Sequence, residues 1–211
     1  DFDRFCEELK NGRSYVGDGR SHLVDFKVGS LEVGTRGSEV RIDKPGKVKI
    51  TARVAAMLDE KPNPDLRGRP YQQKPYWHIE RARLAETRKV PVEVIVNGEP
   101  VLRKEIVADG KLQDFSAEVE LRKSSWVALR ILPSCHTNPV FVLVGDKPIR
   151  ASKKSAQWCL ESVDQCWKQK KRFIAEPEMA DALVAYAHAR EAYRKRLQSH
   201  RLLPLKHIYL R

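Results

Sequence analysis

The sequence predicts a mainly β protein, an antiparallel β-sandwich of immunoglobulin-like type followed by a C-terminal pair of helices. Three observations carry this. Over residues 14–149, short β-rich runs alternate with turn residues at the spacing of a sandwich or barrel, and helical periodicity is absent. Within that stretch, VPVEVIVNGEPVLRKEIV sets Asn97-Gly98, a pair suited to positive φ, between two β-rich runs, the pattern of a tight hairpin. After Ile149 the pattern changes to helical spacing and an alanine-rich composition. The expected organisation is the end of a helix from an upstream domain over 1–13, a sandwich over 14–150, a helical hairpin over 151–199 and a tail over 200–211.

The opening residues place Phe2, Phe5, Cys6 and Leu9 on one helical face, stopped by Asn11-Gly12. The chain has no initiator methionine and opens inside this pattern, so a fragment or processed product is expected. GRSYVGDGRSHL is glycine-rich but lacks GxxxxGK[ST] and does not lie between a strand and a helix. Its glycines are turn residues, with Asp18 and His22 near the junction. KVKITARV, residues 47–54, alternates polar and apolar as a half-buried strand does. LDEKPNPDLRGRPYQQKPYWHIERARL then interrupts the strands with four prolines and no period, so it is an excursion rather than a connection. Tyr71, Tyr76, Trp77 and His78 on it are candidates for a ligand or domain-contact surface. The expectation favoured for these aromatics is that they fold back as a lid over one end of the core.

SSWVALRILPSCHTNPVFVLV puts a cysteine beside a histidine between two apolar runs. Successive side chains of an extended segment point to opposite sides, so Cys135 and His136 diverge and do not form a nucleophile and base. Pro133 and Pro139 bracket PSCHTNP as a loop whose hydroxyls, amide and imidazole support a turn. His136 and Asn138 join the candidate contact set, and Trp126 is expected to fill the sandwich core. Further on, Trp158, Cys159, Val163, Cys166 and Trp167 recur at helical spacing, with Ser152 or Ser155 as the cap. Pro177 opens a second helix, and an antiparallel pair is expected to meet through Leu183, Tyr186, Ala187, Tyr193 and Leu197.

Composition narrows the function classes. No apolar run approaches the roughly 20 residues of a membrane helix, so no membrane contact is expected. The net charge of +12 invites a nucleic-acid reading, but the basic residues are scattered through the strand-like region and enriched near the end, in KKS, KQKKR and YRKRLQSHR, without aromatic interleaving, so weak polyanion binding and no specific nucleic acid are expected. The four cysteines fit neither a disulfide framework nor paired CxxC. Cys159 and Cys166 on one helix stand about 10 Å apart along its axis, so free thiols and a lean toward a reducing compartment follow. The bacterial cytoplasm and periplasm both remain open, as does self-association. The six histidines form no HxH or HExxH. No metal, cofactor or catalytic residue is expected in this chain.

Taken in order, LKNGRSYVGDGRSHLVDFKV, VPVEVIVNGEPV and SSWVALRILPSCHTNPVFV resemble the C-terminal region of CehA/McbA-like metallohydrolases of the polymerase-and-histidinol-phosphatase (PHP) superfamily. In such proteins a helix and a GR-x-Y-V-x-D/N-G passage lead out of the catalytic barrel into a β-sandwich. The resemblance covers roughly residues 2–149, and VGDKPIRASKKSAQWC looks like some longer members. It implies that the metal ligands precede Asp1, so none is carried onto a residue here. What it implies for this chain is the role of a noncatalytic accessory domain that packs against an upstream catalytic domain of the same polypeptide and shapes substrate access. The alternative is a stand-alone ligand-binding module of carbohydrate type, with the excursion aromatics as its stacking surface. A third reading gathers Asp18, His22, His78 or His136 into a hydrolytic site.

Overall fold

Alternating apolar residues and turn-forming pairs set the strands of this protein, seen in a computed structural model that describes residues 1–199. The expected tail over 200–211 lies outside the described residues. Contacts cluster into two units, one spanning Asp1–Ile149 and the other beginning at Arg150. The first opens with α1 (Phe2–Lys10). Eleven strands follow: β1 (Tyr15–Val16), β2 (Ser21–Val28), β3 (Leu31–Glu32), β4 (Glu39–Ile42), β5 (Gly46–Ala56), β6 (Lys89–Val96), β7 (Glu99–Val107), β8 (Gln113–Leu121), β9 (Ser125–Ile131), β10 (Cys135–Thr137) and β11 (Val140–Val144).

They form a two-sheet sandwich, as the sequence predicts. The smaller sheet runs β3-β2-β5-β8 and the larger runs β1-β10-β9-β11-β4, with β6 on the other edge of β9 and β7 beyond it. Every pairing is antiparallel except β11 with β4, where Phe141 aligns with Glu39 and Val144 with Ile42 in parallel. The inner faces supply the core: Leu23, Phe26, Ile50, Val54 and Phe115 from the smaller sheet meet Val92, Val94, Val127, Leu129 and Val140 from the larger. Leu23 and Phe26 both point inward because β2 bulges between Val24 and Lys27, at Asp25 with its φ of 54°. The hairpin forms as expected. Asn97 and Gly98 have φ of 54° and 96° and join Val96 to Glu99, a two-residue turn of the kind that matches strand twist.

PSCHTNP is not wholly a loop, because its centre is strand β10, paired with both β1 and β9. β10 and β11 occupy consecutive stretches of one edge of β9. Between His136↔Arg130 and Val140↔Val127 their run uses residues 137–139 against 128–129, so an extra residue interrupts the ladder. Thr137 repairs it, its Oγ1 accepting from the Leu129 amide at 3.0 Å. Pro139, which has no amide to donate, stands at the break.

The excursion between β5 and β6 contains α2 (Pro64–Gly68), capped by Asn63, and a 3-10 turn over Ile79–Ala82. Ile79 is fully buried in the core, and Glu80 and Arg83 are buried with it. Arg83 donates from Nε and Nη2 to the two Glu80 oxygens at 2.7 and 2.9 Å, and to the Asp59 and Thr87 carbonyls. Glu80 also accepts from the Asn63 amide. A charged pair with these partners ties both ends of the excursion to one point.

The second unit is a helical pair, α3 (Lys153–Lys170) and α4 (Met179–Ser199). Ser152 is the cap of α3, its Oγ accepting from the Ser155 amide. Pro177 lies in a short 3-10 turn that precedes α4 rather than at its first residue. The helices meet through Trp167 against Tyr186, ring centroids 4.9 Å apart, and through Arg190 donating to Asp164 at 2.6 Å. Tyr186, Tyr193 and Leu197 are half-buried, whereas Leu183 and Ala187, expected at the contact, are exposed. The four cysteines are free.

Candidate functional site

Alternation in β10 separates the two residues that first suggest chemistry. Cys135 points into the core and is about 1% exposed, whereas His136 points out. Burial pushes the Cys135 thiol up to about 12, and the Asp18 carboxylate adds to this, so no thiolate forms near neutral pH. The Tyr15 hydroxyl, itself raised by burial and by Cys135, meets the Nδ1 of His22 at 2.7 Å. Asp18 accepts from the Arg20 amide, and the Nδ1 of His78 accepts from the Glu80 amide as the cap of the 3-10 turn. His22, His78 and His136 therefore serve three different local arrangements. Among the described residues, no group of three or more His, Cys, Asp or Glu side chains could hold a metal ion.

The excursion aromatics do not form the expected lid. Tyr71 is 84% exposed, and Tyr76 and Trp77 stay substantially exposed, edge to face with ring centroids 4.8 Å apart. The residue that closes the end of the core is Ile79, next to them in sequence. Arg81 shapes this tip from below, donating to the carbonyls of Arg69, Pro70 and Gln73. Ser134, in the β9–β10 turn, donates to the Trp77 carbonyl at 3.1 Å.

Trp126 is not in the core either. Its strand sends Val127, Leu129 and Ile131 inward, so Trp126, Ala128 and Arg130 share the outer face of the larger sheet. Strand register fixes their neighbours. Trp126 lies opposite Phe141, Ala128 opposite Ile95, and Arg130 between Glu93 and His136. Large side chains thus surround the small Ala128, and the depression measures about 480 Å³.

One end of the depression is apolar and the other polar. Glu93, about 1% exposed in the middle of β6, accepts Arg103 on one oxygen at 2.6 Å and Arg130 on the other at 2.6 Å. Burial works to raise this carboxyl, but the hydrogen bonds and charges of the two guanidiniums outweigh it and hold it below its ordinary value. His136 meets the Thr137 carbonyl through Nδ1 at 3.3 Å. Asn138 lines the rim but gives its amide to the Gly12 carbonyl and to the Ser14 Oγ. Of the six expected contact residues, His136 and Asn138 fall at this depression, and Tyr71, Tyr76, Trp77 and His78 fall on the excursion. Trp126, Phe141 and Arg130 were not foreseen there, nor was Glu93 as the partner of Arg130, although the shared parity of Trp126 and Arg130 in SWVALRI marks them as one face.

A second surface lies on α1. Phe2, Phe5 and Leu9 are 75%, 59% and 50% exposed, and Cys6 beside them is exposed. The helix is nevertheless fastened at its exit. Arg13 pairs with Glu8 at 3.3 Å and Glu32 at 2.7 Å, and Asn138 holds Gly12. Gly34 faces this exit so closely that a β-carbon there would meet Arg13 at 2.4 Å.

No protein-family model matches this chain, and no curated protein matches it.

Proposed function

We propose that this chain is a noncatalytic accessory β-sandwich of a PHP-like metal-dependent hydrolase, and that α1 is the surface by which it packs on the catalytic domain. The observation that carries the reading is an apolar helix face turned to solvent on a helix whose exit is held by ion pairs and an amide clamp. Burying Phe2, Phe5 and Leu9 against a partner is worth roughly 1.5 to 3 kcal/mol for each large side chain. The polar fastening at Arg13 and Asn138 would then set the orientation of that partner relative to the sheets. The ordered resemblance of residues 2–149 to the region following PHP barrels supports a hydrolase domain as that partner.

Cys6 supplies the test, because it lies on the same face and is accessible. Thiol modification is followed by peptide mass in this chain alone and in a polypeptide that carries both domains. Packing through α1 predicts at least about tenfold slower modification of Cys6 when the catalytic domain is present, the factor a contact worth about 1.4 kcal/mol produces. Equal rates in the two proteins would refute it.

A further inference from the structure

The depression on the outer face of the larger sheet leads to an inference independent of the use of α1. We propose that it binds an acidic oligosaccharide, with one sugar ring on Trp126 and Phe141, a carboxylate at Arg130 and a hydroxyl at His136. The apolar end suits a pyranose, whose C–H face packs on aromatic surface while its hydroxyls stay at the edge. Trp126 is half-buried and Phe141 is 37% exposed, so both keep surface for a ligand while the strands hold them in place. Ala128 lowers the floor beside them. From Trp126 to Arg130 is four residues of extended chain, about 13 Å, a length that takes about two or three linked rings.

The polar end selects acids. Two guanidiniums face one carboxylate there, which leaves one positive charge in excess. Arg130 gives Nε and Nη2 to Glu93, and its Nη1 has no hydrogen-bond partner among the described residues. Glu93 thus fixes the plane of a guanidinium whose remaining edge can meet a carboxylate. With Nδ1–H of His136 donated to the Thr137 carbonyl, Nε2 is the ring nitrogen left for a sugar hydroxyl.

The experiment titrates trigalacturonic acid, with maltotriose as the neutral control, into the whole chain and its variants while the backbone amide signals of the lining residues Gly98, Ala128 and Thr137 are followed by NMR. Saturable shifts with the acid below about 1 mM, and at least tenfold weaker binding of maltotriose, are expected. Trp126→Ala should weaken the acid at least tenfold, Trp126→Tyr should hold it within about threefold, and Arg130→Gln should bring its affinity to that of maltotriose. Trp77→Ala should change nothing. The proposal falls if the acid gives no saturable shift, if Trp126→Ala binds as well as the parent, or if Trp77→Ala abolishes binding. The dispersion of each variant's own amide spectrum, compared with the parent's, reports its folding, so a loss in Trp126→Ala is not mistaken for unfolding.

Discussion

Glu93 stands in an apolar strand, and its two guanidinium partners decide its response to acid. Its folded value lies below the ordinary 4.5, so at pH values between the two the unfolded chain binds more protons and stability rises with pH. Its contribution is therefore complete above the ordinary value and is lost as pH falls through the depressed one. Denaturant midpoints measured across this acid range should fall less steeply for Glu93→Gln than for the parent, and an unchanged slope would mean that the carboxyl is not linked to folding. The same residues show how far side-chain direction was legible. Cys135 and His136 diverge as alternation demands. Trp126 was assigned inward because large aromatics often fill sandwiches, but Val127, Leu129 and Ile131 already occupied that parity. Its place outside follows from the strand period rather than from residue size.

At the scale of elements, the excursion between β5 and β6 depends on its buried ion pair. Arg83 and Glu80 have almost no side-chain exposure, and Arg83 reaches carbonyls at both ends of the segment. Removing one partner leaves an uncompensated buried charge, so Arg83→Met should cost about 3 to 5 kcal/mol by denaturant midpoint. The double change Glu80→Leu with Arg83→Met should recover part of that loss, since neither charge then remains buried. A loss below about 1 kcal/mol for the single variant would show that the pair does not hold the loop. None of this was visible in the sequence, where Glu80 and Arg83 look like two more charges in a charged run. The hairpin at Asn97-Gly98 was visible because its turn chemistry is local. Strand β10 was not, because its partners β1 and β9 lie on either side of it and proline and polar residues hide its pattern. The helical pair was read from its period, but which of its residues face each other was only partly apparent, as the exposed Leu183 and Ala187 show.

For the whole molecule, a net charge of +12 spread over many surface side chains predicts long-range attraction without a fixed geometry. Retention on a polyanion column should fall steeply with salt and vanish at modest ionic strength, as screening of separated charges requires. Retention that persists at physiological salt would overturn this and point to the basic runs of the C-terminal helices, such as KQKKR, as a recognition element. The two-layer arrangement was legible from strand spacing, but the order of strands was not, since distant segments meet along one side of the larger sheet, the other side being the local β6–β7 hairpin. The parallel pairing of β4 with β11 joins Glu39 to Phe141, and β1 joins β10 at Tyr15↔Thr137. These pairings give the molecule a history as well as a shape. During synthesis the smaller sheet has all its strands once Leu121 has emerged, whereas β1 and β4 wait for partners made last. Contacts so far apart in sequence carry a large loop-closure entropy and form slowly. For that interval the nascent chain exposes unpaired strand edges, which favours vectorial assembly, with the larger sheet sealed only as β11 leaves the ribosome.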